Sequence, residues 1–164
     1  MGQWIIGPNL RSDKVMSPTE AAYFAGFVDG EGTIGVYRAL RKENRSGYRY
    51  QPTLSVANTN YPALETLQRM CGNGRISQTN KLHNEHHKMG FRLQFSSDQI
   101  RLILPQLVPY LVIKKSQAEY VLEFLAFRVK GRNPSQEYQQ RTEELARACK
   151  LLNARGNERL ALVM

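Results

Sequence analysis

Residues 17–34 read SPTEAAYFAGFVDGEGTI, and this stretch decides the fold of the chain. Ser17 and Glu20 have the spacing of a capping box, in which each side chain accepts a hydrogen bond from a backbone N–H group at a helix start. The proline after Ser17 fits the first helical position, where its missing N–H group costs nothing. Gly30 and Gly32 end the pattern, so the sequence predicts a helix of about three turns.

One stripe of this helix is almost without side chains. Ala22, Gly26 and Gly30 recur at every fourth position, and Ala25 and Asp29 lie one position before the two glycines. Such a stripe is shaped to let a second backbone come very close, as in paired helices. The alternative interpretation is a helix that lies on a sheet.

The helix ends in two acidic residues, Asp29 and Glu31, each followed by a glycine. The C-terminal end of a helix already carries partial negative charge, so carboxylates there are unfavourable unless a cation or a basic partner compensates them. This ending favours the paired helix over a plain structural one.

Residues 24–32, FAGFVDGEG, closely resemble the LAGLIDADG motif of homing endonucleases, with Glu31 in place of the more usual final Asp. The resemblance implies that the motif helices of two subunits, or of two pseudo-repeats, pack along their small faces. Ala22, Ala25, Gly26 and Asp29 are then expected at the interface. The resemblance implies that Asp29 caps the helix end or hydrogen-bonds across the paired helices rather than binding metal. It also implies that the acidic residue at each helix end binds a divalent metal over DNA.

The remaining periodicity predicts an α+β fold. Apolar and polar residues alternate in four stretches, 33–40, 49–58, 74–79 and 89–95, while helical spacing marks a helix from Asn60 or Tyr61 to Gly72 and the chain from Ser97 onward. The order is α-β-β-α-β-β-α with added C-terminal helices. It is also the order of the LAGLIDADG fold, which implies a four-stranded antiparallel, saddle-shaped sheet with its concave face on DNA.

The length of 164 residues predicts a single domain over residues 1–164. Residues 1–16 show no periodicity and are expected to form an irregular arm. Residues 132–164 are expected to form a C-terminal helix and a tail.

The charge balance points to a polyanionic partner. The net charge is +9, and residues 33–96 hold ten Lys or Arg against three Asp or Glu. A basic surface concentrated after the motif favours nucleic acid. The family resemblance implies that this nucleic acid is double-stranded DNA.

The candidate active site is centred on Glu31. Its carboxylate at a helix end suits Mg²⁺, which prefers oxygen ligands, and the Gly30 carbonyl is the expected second ligand because no side chain shields it. Mn²⁺ or Ca²⁺ is expected to substitute for Mg²⁺ in binding. Lys114 lies in a segment similar to the one that carries the family's basic active-site residue, and an ordinary Lys before a helix is the alternative. Asn60 falls where relatives often carry a solvent-positioning Gln, or it caps a helix.

The candidate DNA-reading residues are polar side chains that point away from the predicted core. Arg and Gln pair with guanine and adenine in the major groove, and the basic hairpin tip after residue 40 is suited to phosphates. The set comprises Tyr37, Arg41, Lys42, Arg45, Arg49, Gln51, Thr53, Ser55, Ser77, Thr79, Arg92 and Gln94.

The motif occurs once, since residues 125–131, LAFRVKG, lack carboxylates and glycines in register. Cleaving both strands of DNA needs two such helix ends, so the chain is expected to act as a homodimer on a near-palindromic site.

The cysteines, the histidines and the apolar segments indicate no further functional site. Cys71 and Cys149 are expected to be buried thiols, and the histidines within 83–87 lack the further ligands of a tetrahedral zinc site. Without an apolar run of about 18 residues, we expect no membrane contact. We expect an intracellular, soluble protein of the cytoplasm, nucleoid or an organelle matrix.

Together these features predict a Mg²⁺-dependent, intron-encoded homing endonuclease that makes a double-strand break. The alternative is a binder on the same fold that does not cleave, either an intron RNA maturase or a repressor. A general basic RNA-binding protein is a weaker alternative because it leaves the motif helix unexplained.

Overall fold

A computed structural model describes residues 14–42, 47–79, 88–127 and 135–154 of the chain. The elements are α1 (Pro18–Glu31), β1 (Gly32–Leu40), β2 (Tyr48–Asn58), α2 (Tyr61–Cys71), β3 (Arg75–Gln78), β4 (Phe91–Gln94), α3 (Ser97–Leu107), α4 (Lys115–Phe127) and α5 (Gln136–Asn153), with a short 3₁₀ turn (Val108–Tyr110) after α3. The predicted α-β-β-α-β-β-α order with added C-terminal helices is confirmed.

Helix α1 begins with the predicted capping box. The Ser17 hydroxyl accepts a hydrogen bond from the Glu20 N–H at 3.2 Å, and the Glu20 carboxylate accepts one from the Ser17 N–H at 2.8 Å. The bond from Ser17 is the main reason why the pKa of Glu20 is lowered. Two N–H groups that α1 could not satisfy internally are thereby satisfied.

The four strands form one antiparallel sheet in the order β1-β2-β4-β3. Side chains alternate between its two faces. One face carries Ile34, Val36, Leu54, Val56 and Leu93, which are all buried. The opposite face, called the outer face below, carries the polar residues that pair across the strands.

Helices α1 to α4 contact the strands and share one hydrophobic core with the apolar face of the sheet. Phe24 and Val28 of α1, Leu104 of α3, and Val121 and Phe124 of α4 are at most 1% exposed. Burying a side chain of this size stabilises the fold by roughly 1.5–3 kcal/mol. The core therefore fixes the position of α1 relative to the sheet.

Helix α5 packs on β1, the strand at the edge of the sheet. The Asn153 amide donates to the Ile34 carbonyl at 2.8 Å and to the Tyr37 hydroxyl at 3.1 Å. Arg141 of α5 also pairs with Glu123 of α4 at 2.7 Å. The bond from Asn153 satisfies a backbone carbonyl of β1, and α5 covers a strand that could otherwise pair with another chain.

Cys71 and Cys149 are buried and not bonded to each other, as predicted. Burial raises the pKa of the Cys71 thiol to about 11 and also raises the pKa of the Cys149 thiol. None of the helices in the described ranges is long and apolar enough to cross a membrane.

The raised pKa of Cys71 predicts a loss of stability at alkaline pH. Its thiol ionises near pH 8.5 in an unfolded chain but only near 11 in the fold, so the unfolded state gains charge first. The thiol's contribution is fully present below about pH 8.5 and is lost as the pH rises through about 11, by up to about 3 kcal/mol. Denaturant unfolding should show a shallower decline for Cys71→Ala than for the wild type over this range. Parallel declines would contradict the assignment.

Candidate active site and nucleic-acid interface

The C-terminal end of α1 lies at the surface. Glu31 is the last residue of the helix and is exposed, and Gly30 before it is exposed as well. A Cβ atom built at Gly30 would meet no other atom within 4 Å. Gly30 and Glu31 are therefore both exposed at the end of a helix, and these are the two residues for which the sequence predicted metal ligands.

Asp29 binds a turn of its own chain. Its carboxylate accepts hydrogen bonds from the backbone N–H groups of Val112, Ile113 and Lys114, at 2.8, 3.2 and 2.9 Å. This turn immediately precedes α4. Asp29 was expected from the sequence to cap the helix end or to hydrogen-bond across paired helices, and in the monomer its carboxylate bonds to N–H groups of its own chain.

Lys114 returns the contact to α1. Its ammonium group donates to the Val28 carbonyl at 3.0 Å and also to the Asp29 carbonyl. A cation at the last carbonyls of a helix compensates their partial negative charge. Lys114 was expected from the sequence in the active site. Its ammonium group contacts the backbone of Asp29, the residue before Gly30.

The residues at the end of α1 fit a hard divalent cation. One chain supplies a carboxylate from Glu31 and a backbone carbonyl from Gly30, and Mg²⁺ commonly takes few protein ligands and keeps several waters. Within the described ranges, no group of three or more His, Cys, Asp or Glu residues could hold a metal ion.

The small-residue stripe of α1 is exposed over most of its length. Ala22, Gly26 and Gly30 are all exposed, and Tyr23 beside them is 51% exposed. Ala25 is an exception to the prediction because it is fully buried in the chain's own core. Its position on the helix turns it toward the sheet, so it does not belong to the exposed stripe.

Gly32 is required by crowding within the monomer, whereas Gly26 is not. A Cβ at Gly32 would lie 2.6 Å from the Val28 carbonyl oxygen and 2.8 Å from the Val28 Cα. Gly32 is therefore required where the chain leaves α1 and enters β1. A Cβ at Gly26 would meet nothing within 4 Å, so the monomer does not require that glycine.

Asn60 is the N-cap of α2. Its side-chain oxygen accepts from the Ala63 N–H at 3.1 Å, and its own N–H donates to the Asn58 side chain at 2.8 Å. Of the two interpretations of Asn60, the structure shows the cap. Asn58, which the sequence analysis did not select, ends β2 two residues after Val56, the partner of Gly32.

The outer face of the sheet carries most of the predicted DNA-reading residues. The strand register pairs Gln51 with Tyr37, Thr53 with Gly35, Ser77 with Arg92, and Ser55 with Gln94. Arg49, Arg92 and Gln94 are exposed on this face, and Arg41, Lys42 and Thr79 are exposed beyond the strand ends. The predicted set is thus largely one continuous surface.

Two members of the predicted set are placed differently. Tyr37 is half-buried, its hydroxyl accepts from Asn153, and burial raises its pKa, so it helps to fix α5. Ser55 is only 7% exposed and offers little surface to a ligand. Arg45 and the histidines of residues 83–87 lie outside the described residues.

Arg75 extends the outer face and was missed by the sequence analysis. It is exposed on β3 directly opposite Gln94, in the same row as Ser55 and Thr33. The signal was available, because Arg75 has the same parity along its strand as Ser77 and Thr79. On β3 the predicted set of DNA-reading residues began at Ser77, two residues after Arg75.

Known proteins share both the sequence pattern and the fold. Residues 24–124 match the family model for LAGLIDADG endonucleases. The chain is 28% identical over 116 residues to the DNA endonuclease I-CvuI of Chlorella vulgaris, covering 70% of this chain and 68% of that protein.

Two solved structures are similar over most of the chain. The homing endonuclease I-CvuI, crystallised with its DNA target in the presence of 2 mM Ca, gives a TM-score of 0.70 at 24% identity and covers 85% of each chain. The archaeal intron-encoded homing endonuclease I-Vdi141I, in complex with DNA, gives 0.69 at 20% identity and covers 88% of this chain and 94% of that one. The fold is therefore that of the homing endonucleases.

The sequence match assigns the chain to one family of homing endonucleases. Because the family model covers more than half of the chain, the protein belongs to the LAGLIDADG endonuclease family. The match begins at Phe24, inside α1, and ends at Phe124, inside α4, so it includes the end of α1, the sheet and the turn that Asp29 binds.

The two kinds of glycine predict opposite effects on stability. Gly32→Ala places a methyl group inside the van der Waals radius of the Val28 backbone, and we expect a loss of about 1–3 kcal/mol. Gly26→Ala meets open space in the monomer, and the better helix propensity of Ala should stabilise it by up to about 1 kcal/mol. Denaturant unfolding at low protein concentration measures both values. Equal losses in the two variants would show that Gly26 is also confined within the monomer.

Proposed function

We propose that this protein is a site-specific DNA endonuclease that acts as a homodimer and hydrolyses both strands of a long, near-palindromic site with a divalent metal. The observation that carries the proposal is the exposed Glu31 carboxylate at the end of a helix whose glycine stripe has open space beside it. One chain supplies one such helix end, whereas cleavage of both DNA strands needs two.

The open stripe supports the homodimer. Glycine within a helix costs up to about 1 kcal/mol relative to alanine, and Gly26 relieves no crowding in the monomer. A second α1 helix packed against Ala22, Gly26 and Gly30 would explain why side chains are small there, because close approach of two backbones needs small residues.

Apolar residues beside the stripe support the same interface. Val112 is 83% exposed and Ile113 is 71% exposed, and both lie on the turn held by Asp29. Helical periodicity puts Asp29 next to Gly26 on α1, so this turn flanks the stripe. Exposed apolar groups next to a flat helix surface are typical of protein interfaces.

The outer face supports DNA as the substrate. Arg49, Arg75 and Arg92 are exposed on three strands of one sheet, and Gln94 lies directly opposite Arg75. Strands that present Arg and Gln are suited to base edges in the major groove. Arg41 and Lys42 at the end of β1 are suited to phosphates, which position the duplex without reading its sequence.

The chain's own residues supply charge and position to the reaction. Glu31 and the Gly30 carbonyl would hold the metal, and the Lys114 ammonium keeps positive charge beside them. A bound Mg²⁺ would stabilise the charge on the phosphate and make a water molecule more acidic. The outer face would hold the duplex so that the phosphodiester bond lies at the paired helix ends.

Relatives support this reading of the metal and the substrate. I-CvuI was crystallised with its target and calcium, and with another target in the presence of 2 mM Mg, where the DNA was not cleaved. A second relative, I-SmaMI, was crystallised bound to cleaved DNA.

Replacing Glu31 by Gln should abolish cleavage but not DNA binding. The amide keeps the size of the side chain and removes the charge that would hold the metal, so we expect a loss of at least about 100-fold in cleavage rate. Cleavage would be measured on a library of randomised palindromic duplexes with Mg²⁺ and with EDTA, followed by kinetics on the selected site. Glu65→Gln, at an exposed Glu of α2, is the matched control and should cut normally.

The same experiment addresses the alternative on this fold. A wild-type protein that binds duplexes or intron RNA but cuts none of the library under Mg²⁺ would identify a maturase or a repressor instead. Full activity of Glu31→Gln would remove Glu31 from the active site.

A bulky residue in the stripe should break the dimer. Ala22→Leu adds a branched side chain where two helix backbones are expected to meet, while the exposed position keeps the monomer's stability within about 0.5 kcal/mol. Sedimentation equilibrium should show a dimer for the wild type and a monomer for Ala22→Leu. Ala126→Leu, at an exposed alanine of α4, makes the same change elsewhere and should remain dimeric. A monomeric wild type would contradict the proposed interface.

A further inference from the structure

We propose that Asp29 is a positioning residue that acts through Lys114. Its carboxylate fixes the turn of residues 112–114 to α1, and this turn holds the Lys114 ammonium beside the metal-binding end of the helix. The inference rests on the proposed function, because it assigns Asp29 a part in the same cleavage reaction.

The contact is reciprocal. The Asp29 carboxylate accepts from three consecutive N–H groups at 2.8–3.2 Å, and Lys114 donates back to the carbonyls of Val28 and Asp29. Two chain segments separated by more than 80 residues are joined by hydrogen bonds in both directions. Hydrogen bonds that involve a charged group are about twice as strong as neutral ones.

Side-chain burial does little to fix the described residues 112 and 113 of the turn. Val112 and Ile113 are mostly exposed in the monomer, so burial of their side chains does not hold them to the core. Leu111 before them is buried, and α4 begins directly after Lys114. The Asp29 carboxylate accepts from three N–H groups of the segment between these two anchors and is therefore a polar tether of it.

The position of the Lys114 charge depends on this tether. A lysine side chain is long and flexible, and ordering it costs up to about 2 kcal/mol of rotamer entropy. Its backbone N–H is one of the three donors to Asp29, so the same carboxylate fixes the base of the side chain whose tip meets α1. Losing the tether would let the ammonium leave the helix end without unfolding the core.

The geometry also separates Asp29 from the metal. Its Oδ2 accepts from Val112 and its Oδ1 accepts from both Ile113 and Lys114, so both carboxylate oxygens point into the turn. Glu31, two residues later, is exposed. The two acidic residues of the motif thus have different roles: Glu31 would bind the cation, and Asp29 positions the Lys114 ammonium beside it.

A double-mutant cycle tests the inference on the full chain with its selected DNA site. Asp29→Asn places an amide NH₂ against backbone donors and should break at least one hydrogen bond, and Lys114→Met removes the ammonium but keeps the stem. Each change alone should lower the single-turnover cleavage rate in Mg²⁺ by about tenfold or more. DNA affinity measured with Ca²⁺ should change by less than about threefold. If Asp29 acts through Lys114, the double variant should cut about as slowly as Lys114→Met alone.

Controls separate a positioning effect from a loss of folding. All cleavage rates would be measured well below the thermal unfolding midpoint of each variant. Asp98→Asn, at an exposed acidic residue in the first turn of α3, should leave the cleavage rate unchanged. Asp29→Ser, whose hydroxyl still accepts an N–H, is the second variant if Asp29→Asn does not fold. It should cut at an intermediate rate, and its double variant with Lys114→Met should cut about as slowly as Lys114→Met alone.

The outcomes are distinct. Additive losses in the double variant, or a loss confined to DNA affinity, would overturn the inference while leaving the endonuclease intact. A wild-type chain that cuts nothing in the library would overturn the proposed function itself.

Discussion

The structure depends on how negative charge is compensated at the C-terminal end of α1. Partial charges of unpaired carbonyls, the Asp29 carboxylate and the Glu31 carboxylate all meet within three residues of a helix end. Three backbone N–H groups and the Lys114 ammonium compensate the first part of this charge inside the monomer. Glu31 lies beyond these contacts and faces open space, which is the physical basis for expecting a cation there.

The rest of the fold holds this helix end over the sheet. Phe24, Ala25 and Val28 anchor one side of α1 in the core, and Gly32 allows the chain to pass directly from α1 into β1. Helix α5 packs along the open edge of β1 through Asn153. The opposite side of α1 and the outer face of the sheet stay exposed, so the surfaces proposed for a second chain and for DNA meet at Glu31.

Local signals in the sequence predicted much of this arrangement. The capping box, the glycine-stepped helix and the period-two strands each depend on residues a few positions apart, and the structure confirms them. Contacts between distant segments were not predictable in the same way. The partner of Asp29 lies more than 80 residues along the chain, and nothing near Asp29 in sequence indicates it. Ala25 was misplaced because spacing alone shows which residues share a stripe but not where the core begins. Tyr37 and Ser55 have the parity of the outer face, yet Tyr37 bonds to α5, and Ser55, on a strand paired on both sides, is buried.

The central claim is that two chains complete one site at the ends of paired α1 helices. Native mass spectrometry of the protein on its selected DNA site with Ca²⁺ measures this directly, because the mass gives the number of chains on each duplex. The account predicts two chains per duplex. A complex of one chain per duplex that goes on to cut both strands when Mg²⁺ is added would contradict it.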